Sequence, residues 1–154
     1  MPTRPTKAAS RARARTPPVV VVTGRPAPLS PRTVIRVVRA VLAGERQEAM
    51  VSINFVGSAR MRSLNREWKG ADRPTDVLAF TLTQPHGALV GDLYVCPAVA
   101  RGYARDHRVA LRTELCRLVI HATLHALGYD HPEGVDRTRS PMWRKQERYL
   151  AWVV

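Results

Sequence analysis

The run Val119-Ile120-His121-Ala122-Thr123-Leu124-His125-Ala126-Leu127 constrains the fold of this 154-residue chain more than any other stretch. It is apolar almost all round at helical spacing, so a helix over roughly Leu111 to Leu127 must be covered by other elements on most sides. Two imidazoles interrupt it four residues apart, which puts both on one face with about 5–6 Å between Cβ atoms. Gly128 follows, where a helix can stop because glycine enters the left-handed region without a Cβ clash. Three residues later His131 can swing back toward the first two. The chain has five histidines, and three fall in these eleven residues. A lone histidine in such a helix is usually a hydrogen-bonded core residue. Three packed together without an ion would each need a polar partner in apolar surroundings, which is costly. Three imidazoles on one ion leave a fourth position open, as in a catalytic zinc site. His121, His125 and His131 are therefore read as the ligands of one Zn2+ ion.

What the motif lacks narrows the chemistry. Its spacing matches the zinc-protease pattern H-E-x-x-H-x-x-G-x-x-H, but Ala122 occupies the glutamate position. That glutamate is the peptidase's general base, and alanine cannot take a proton. A bound ion would still polarise an oxygen and acidify its water. The pattern points to a hydrolase of another substrate class.

Length allows one domain with a sizeable core. No apolar run approaches a membrane span, and the N-terminus lacks the apolar segment of a secretory signal. Cys96 and Cys116 lie in separate expected elements with no C-x-x-C pairing, which suits packed thiols in a reducing cytoplasm. The net charge of +13, from 25 Lys plus Arg against 12 Asp plus Glu, favours a polyanionic partner, nucleic acid above all. Residues 1–18 carry five basic and no acidic side chains among prolines and alanines, and read as a disordered basic tail. An organellar transit peptide is also arginine-rich, but four prolines in this segment disfavour an amphipathic helix. Residues 19–154 make the domain, which keeps a charge of +8 by itself.

Along that domain, strands and helices alternate. Val19 to Thr23 reads as a buried strand closed by Gly24. Ser30 and Pro31 form a cap and first turn for a helix through Val34, Val37, Val38, Val41 and Leu42, ending near Gly44. Glu48 to Val56 alternates with period two and reads as a strand. A second helix, capped by Ser58, turns Met61, Leu64 and Trp68 to the core. Val77 to Leu82 and Gly91 to Cys96 are further strands. Helices follow from Pro97 to Arg105, from Leu111 to Leu127, and from Pro141 to Trp152. This order predicts an α/β domain: a single small mixed sheet of about four strands packed with about five helices.

Three blocks carry a resemblance to a known family. They are Met61-Arg62-Ser63-Leu64-Asn65 with Asp72-Arg73-Pro74-Thr75-Asp76-Val77-Leu78-Ala79-Phe80, then Gly91-Asp92-Leu93, then His121 to His131. With them the chain resembles the YbeY family of bacterial endoribonucleases over most of residues 19–152. The resemblance implies one zinc ion on the three histidines, cleavage of single-stranded RNA, maturation of small-subunit ribosomal RNA and a role in ribosome quality control. The small ribosomal subunit is the implied partner, with no membrane. It also implies a cation shortly after the Leu-Asn pair that meets an RNA phosphate. The family usually has arginine there, and this chain has Lys69, which keeps the charge but loses the planar fork. Ala79, Thr81 and Ala122 are milder departures. Asp76 and Asp92 are read as structural. Two other readings stand beside the endoribonuclease: a non-catalytic RNA- or ribosome-binding factor with a structural metal, and a zinc peptidase that recruits its base elsewhere. Phe55, Phe80 and Tyr94 are expected in the core, without the aromatic sheet face of an RNA-stacking module.

Overall fold

Four short runs rich in β-branched residues pair into one sheet, and the computed structural model describes them within residues 16–24, 28–85 and 87–154. The strands are β1 (Val19–Thr23), β2 (Ala49–Phe55), β3 (Val77–Thr83) and β4 (Leu89–Val95), in spatial order β1-β2-β4-β3. β1, β2 and β4 run parallel and β3 is antiparallel to β4, so the sheet is mixed as expected. The helices are α1 (Pro31–Gly44), α2 (Ser58–Lys69), α3 (Pro97–Asp106), α4 (Leu111–Ala126) and α5 (Pro141–Val153). A 3₁₀ turn over Gly134–Arg139, which has no apolar period to announce it, precedes α5. The expected basic tail falls mostly on residues 1–15, outside the described residues.

α4 is the hub. It packs against α1, α3, α5 and the strands β3 and β4. Leu115, Val119, Ile120, Ala122 and Leu124 are all fully buried on it. The sheet meets this layer with Ala49, Val51, Ile53 and Phe55 of β2 and with Leu93 and Val95 of β4. α1 adds Val34, Val37, Val38, Val41 and Leu42, all 0% exposed. Its start is as expected: Ser30 Oγ accepts from Thr33 N at 3.1 Å, with Pro31 in the first turn. Cys96 and Cys116 are free and buried.

Three expectations are corrected. β1 is an edge strand and not a buried one: Val19 and Val21 are 46% and 53% exposed, because it pairs on one side only and its outer face has no covering helix. α2 is capped by Gly57 with no side-chain bond from Ser58. Trp68 is 61% exposed, because it lies one turn beyond the small cluster that buries Met61 and Leu64 of the same helix. There Trp68 meets Phe80 at 5.2 Å between ring centroids, and Phe80 meets Tyr94 at 5.9 Å. These rings form one chain on a small second cluster with Met61, Leu64, Leu78 and Cys96, and are not scattered through the main core.

Candidate metal centre

The geometry of the histidine cluster follows from how α4 ends. Leu127 is the C-cap, and Gly128 takes φ +95°, where a β-carbon would be strained. Gly128 N–H donates to His125 O at 3.0 Å, and Tyr129 N–H donates to Leu124 O at 3.1 Å. This paired reversal satisfies two end-of-helix carbonyls and turns the chain back along the helix. Asp130 Oδ1 then accepts from His131 N at 2.8 Å, fixing the backbone at the third histidine. His131 thus returns to the face carrying His121 and His125.

The three rings lie 4.5–5.1 Å apart between centroids. One ligand nitrogen from each falls within 4.8 Å of the others. Each Nδ1 is already engaged. His121 Nδ1 meets Gln146 Oε1 at 2.6 Å, His125 Nδ1 meets Tyr129 O at 2.9 Å, and His131 Nδ1 meets Pro132 O at 3.0 Å. All three of those partners are acceptors, so each Nδ1 carries a proton and Nε2 is the nitrogen left to serve as a ligand. His121 and His131 bring theirs to 3.3 Å. Two nitrogens bound to one tetrahedral ion, with metal–nitrogen bonds of about 2.0–2.1 Å, are about 3.3 Å apart. Burial, with the neighbouring His125 next in order, pushes the pKa of His121 down to about 4, and burial also lowers that of His125. Both rings are therefore neutral at physiological pH. Together the donors fit a divalent metal ion and leave a coordination position open to the cleft.

That cleft has a volume of about 660 Å³. Lys69, the last residue of α2, lines it together with Arg73, Asp76 and Arg137. Gly70 at φ +70° ends α2, and Asn65 Nδ2 donates to Arg73 O at 2.9 Å, so the Asp72–Asp76 loop is tied to the helix that carries Lys69. Arg62 grips Asp72 through two bonds of 2.8 and 2.9 Å on the outer side of the same loop. Asp76 is on the cleft wall, where its carboxylate accepts from Val77 N at 2.8 Å and from Thr75 Oγ1 at 3.2 Å. Asp92 is elsewhere. It sits on the open sheet face, accepting from Ser52, Asn54 and Tyr94. Ala122 is fully buried in the core, so the position after His121 does not face the cleft at all.

Two residues escape sequence reading. Gln146 is 1% exposed on α5 and orients the buried ring of His121. Its signal is a polar residue inside the apolar stripe of Met142, Tyr149 and Leu150. Arg137 comes from the 3₁₀ turn, and nothing in the local sequence separates it from its arginine neighbours.

The family model described as Endoribonuclease YbeY matches residues 28–153. The chain belongs to the YbeY family. An Endoribonuclease YbeY of Desulfitobacterium hafniense is 38% identical over 122 residues, covering 73% of this chain and 76% of that relative. The Anaeromyxobacter Endoribonuclease YbeY is 46% identical over 103 residues, which cover 66% of this chain and 53% of its own. The solution structure of a Thermotoga maritima protein matches with a TM-score of 0.60 at 28% identity, over 88% of each chain. Membership in the YbeY family agrees with the three blocks singled out in the sequence.

Proposed function

We propose that this chain is a zinc-dependent endoribonuclease that cuts single-stranded RNA in the maturation of small-subunit ribosomal RNA, in the cytoplasm and in contact with the small ribosomal subunit. The observation that carries the reading is the convergence of three histidine Nε2 atoms in a cleft also lined by Lys69, Arg73 and Arg137. A divalent ion held there supplies positive charge for a phosphodiester oxygen and lowers the pKa of water. Nitrogen ligands in threes favour zinc. Neutral ligands leave the full +2 charge of such an ion facing an anionic substrate.

The chain's own groups do the rest. Lys69 meets a non-bridging phosphate oxygen at the mouth of the cleft. Arg73 extends the positive rim along the strand. The Nδ1 bonds of all three histidines keep a proton on that nitrogen and fix the rotation of each ring, so that Nε2 is the atom presented to the ion. Peptide hydrolysis is disfavoured by the buried Ala122, which puts no carboxylate where that chemistry needs one.

Metal content and cleavage of single-stranded RNA, measured on one sample before and after chelation, test the reading. About one zinc per chain, with cutting lost on chelation and restored by zinc, is the expected result. His125→Ala should abolish cutting while the chain still folds and binds RNA. A protein that holds zinc and binds RNA yet never cuts is a binding factor, and the proposal fails. Co-sedimentation with isolated small subunits tests the ribosomal partner separately.

A further inference from the structure

We infer that a nucleobase of the bound strand enters a second cavity behind His121, with Arg137 gripping the phosphate at its threshold; this rests on the RNA-cleaving role proposed above. The second cavity has a volume of about 410 Å³, within the roughly 300–1,000 Å³ range of small-ligand sites. It shares Tyr103, His121 and Arg137 with the metal cleft, so the two adjoin at those side chains. His121 is the partition. Its Nε2 faces His131 in the cleft, and its Nδ1 bonds Gln146, which lines the second cavity.

The two chambers differ in chemistry. Cations and carboxylates dominate the cleft, whereas Tyr103, Trp143, Val109 and Leu118 wall the second cavity. Tyr103 and His107 stand side by side on α3 with ring centroids 6.2 Å apart and planes 33° from parallel. Aromatic walls of this kind suit the face of a base. The polar groups at the edge are already committed. Arg117 bonds Glu114 and Glu147, and Gln146 bonds His121 and Glu147. Few free hydrogen-bonding groups are left to read a base edge, so the cavity accepts bases by shape and stacking and discriminates weakly among them.

Arg137 is the one lysine or arginine common to both linings. Its guanidinium is short of acceptors. The Nη2 is 3.7 Å from Asp76 Oδ2, and the Nε is buried with no partner, the single such side-chain atom among the described residues. A phosphate offers a guanidinium two oxygens in matching geometry. A phosphate held by Arg137, which lines both chambers, leaves its attached base beside the aromatic walls of the second cavity, an arrangement that suits a nucleotide.

Trp143 makes the cavity self-reporting. In a full-length chain carrying Trp68→Phe and Trp152→Phe, it is the last of three tryptophans. The zinc-loaded protein is titrated with each of the four ribonucleoside 5′-monophosphates and with ribose 5-phosphate, which keeps the phosphate and lacks the base. Saturable quenching by all four nucleotides is expected, with ribose 5-phosphate weaker by about tenfold or more, the loss of one stacked base. Arg137→Met should weaken nucleotide binding by about tenfold or more, and Arg137→Lys by less. Equal affinity with and without the base, or an unchanged Trp143 signal, overturns the pocket. A second arm removes the base at each position of an RNA substrate in turn. One position beside the cut should lose kcat/KM while distant ones do not. Normal cutting with a flat scan removes the pocket and leaves the endoribonuclease standing. Quenching by nucleotides in a protein that cuts no RNA does the reverse.

Discussion

His121 is held by a side chain 25 residues away. Because Gln146 accepts from Nδ1, it fixes both the tautomer and the rotation of the ring. Gln146→Leu should lower zinc affinity by about 10–100-fold in competition with a chromophoric chelator, whereas Gln146→Glu keeps the acceptor and most of the affinity. Lys69 lines the cleft, and the proposed function gives it a phosphate to hold. Lys69→Ala should cut kcat/KM for RNA by about 10²-fold without changing zinc content, and Lys69→Arg should restore activity or exceed it. An unchanged rate for the alanine variant would remove Lys69 from the site. The clustering of the three histidines was legible in the sequence because all three belong to one helix and its own exit turn, where spacing alone dictates proximity. Gln146 and Arg137 were not, because their place depends on how α5 and the 3₁₀ turn dock, and long-range docking leaves no local period.

At the scale of elements, the exit turn of α4 is anchored by α1 and α5 through one carboxylate. Glu45, just past the end of α1, accepts from Tyr129 Oη at 2.5 Å, Tyr149 Oη at 2.6 Å and Lys145 Nζ at 2.8 Å. Gly44 makes room for this, since a Cβ there would collide with the Tyr149 hydroxyl. Burial alone would raise the pKa of Glu45, but the bonds from Lys145, Tyr129 and Tyr149 outweigh it and hold the group below its ordinary value. A carboxylate with a lowered folded-state pKa adds stability above its unfolded pKa and loses it as the pH falls. Glu45→Gln should therefore cost about 1–3 kcal/mol in urea unfolding at pH 7, with the difference from the unaltered chain closing as the pH drops below about 4. A gap that persists in acid would mean that shape, not charge, is what Glu45 contributes. Gly128→Ala meets no neighbour within 4 Å, so its cost is conformational, about 1–2 kcal/mol, and should appear together with weaker zinc binding. The strands and helices themselves were readable from alternation and helical spacing. What misled at the ends was context: the same Val-rich run reads alike at the centre or edge of a sheet, and helical spacing puts Trp68 on the core stripe one turn past the point where the core stops.

For the whole molecule, charge and core set separate expectations. A net charge of +13 predicts that RNA affinity falls steeply with salt, the logarithmic slope giving about 0.7 per phosphate contacted on a single strand. A slope near zero would argue against backbone recognition. The core around α4 is continuous across both layers without the ion, so chelation should leave the far-UV circular dichroism intact and lower Tm by the binding contribution alone. Collapse of the helical signal would make the metal structural. Among the described residues no helix is long and apolar enough to cross a membrane. The compactness of the histidine set also bears on how the site forms. Eleven consecutive residues supply all three imidazoles, so bringing them together costs little chain entropy and needs no distant strand. Gln146, from the next helix, docks as a latch on a cluster that local structure alone assembles.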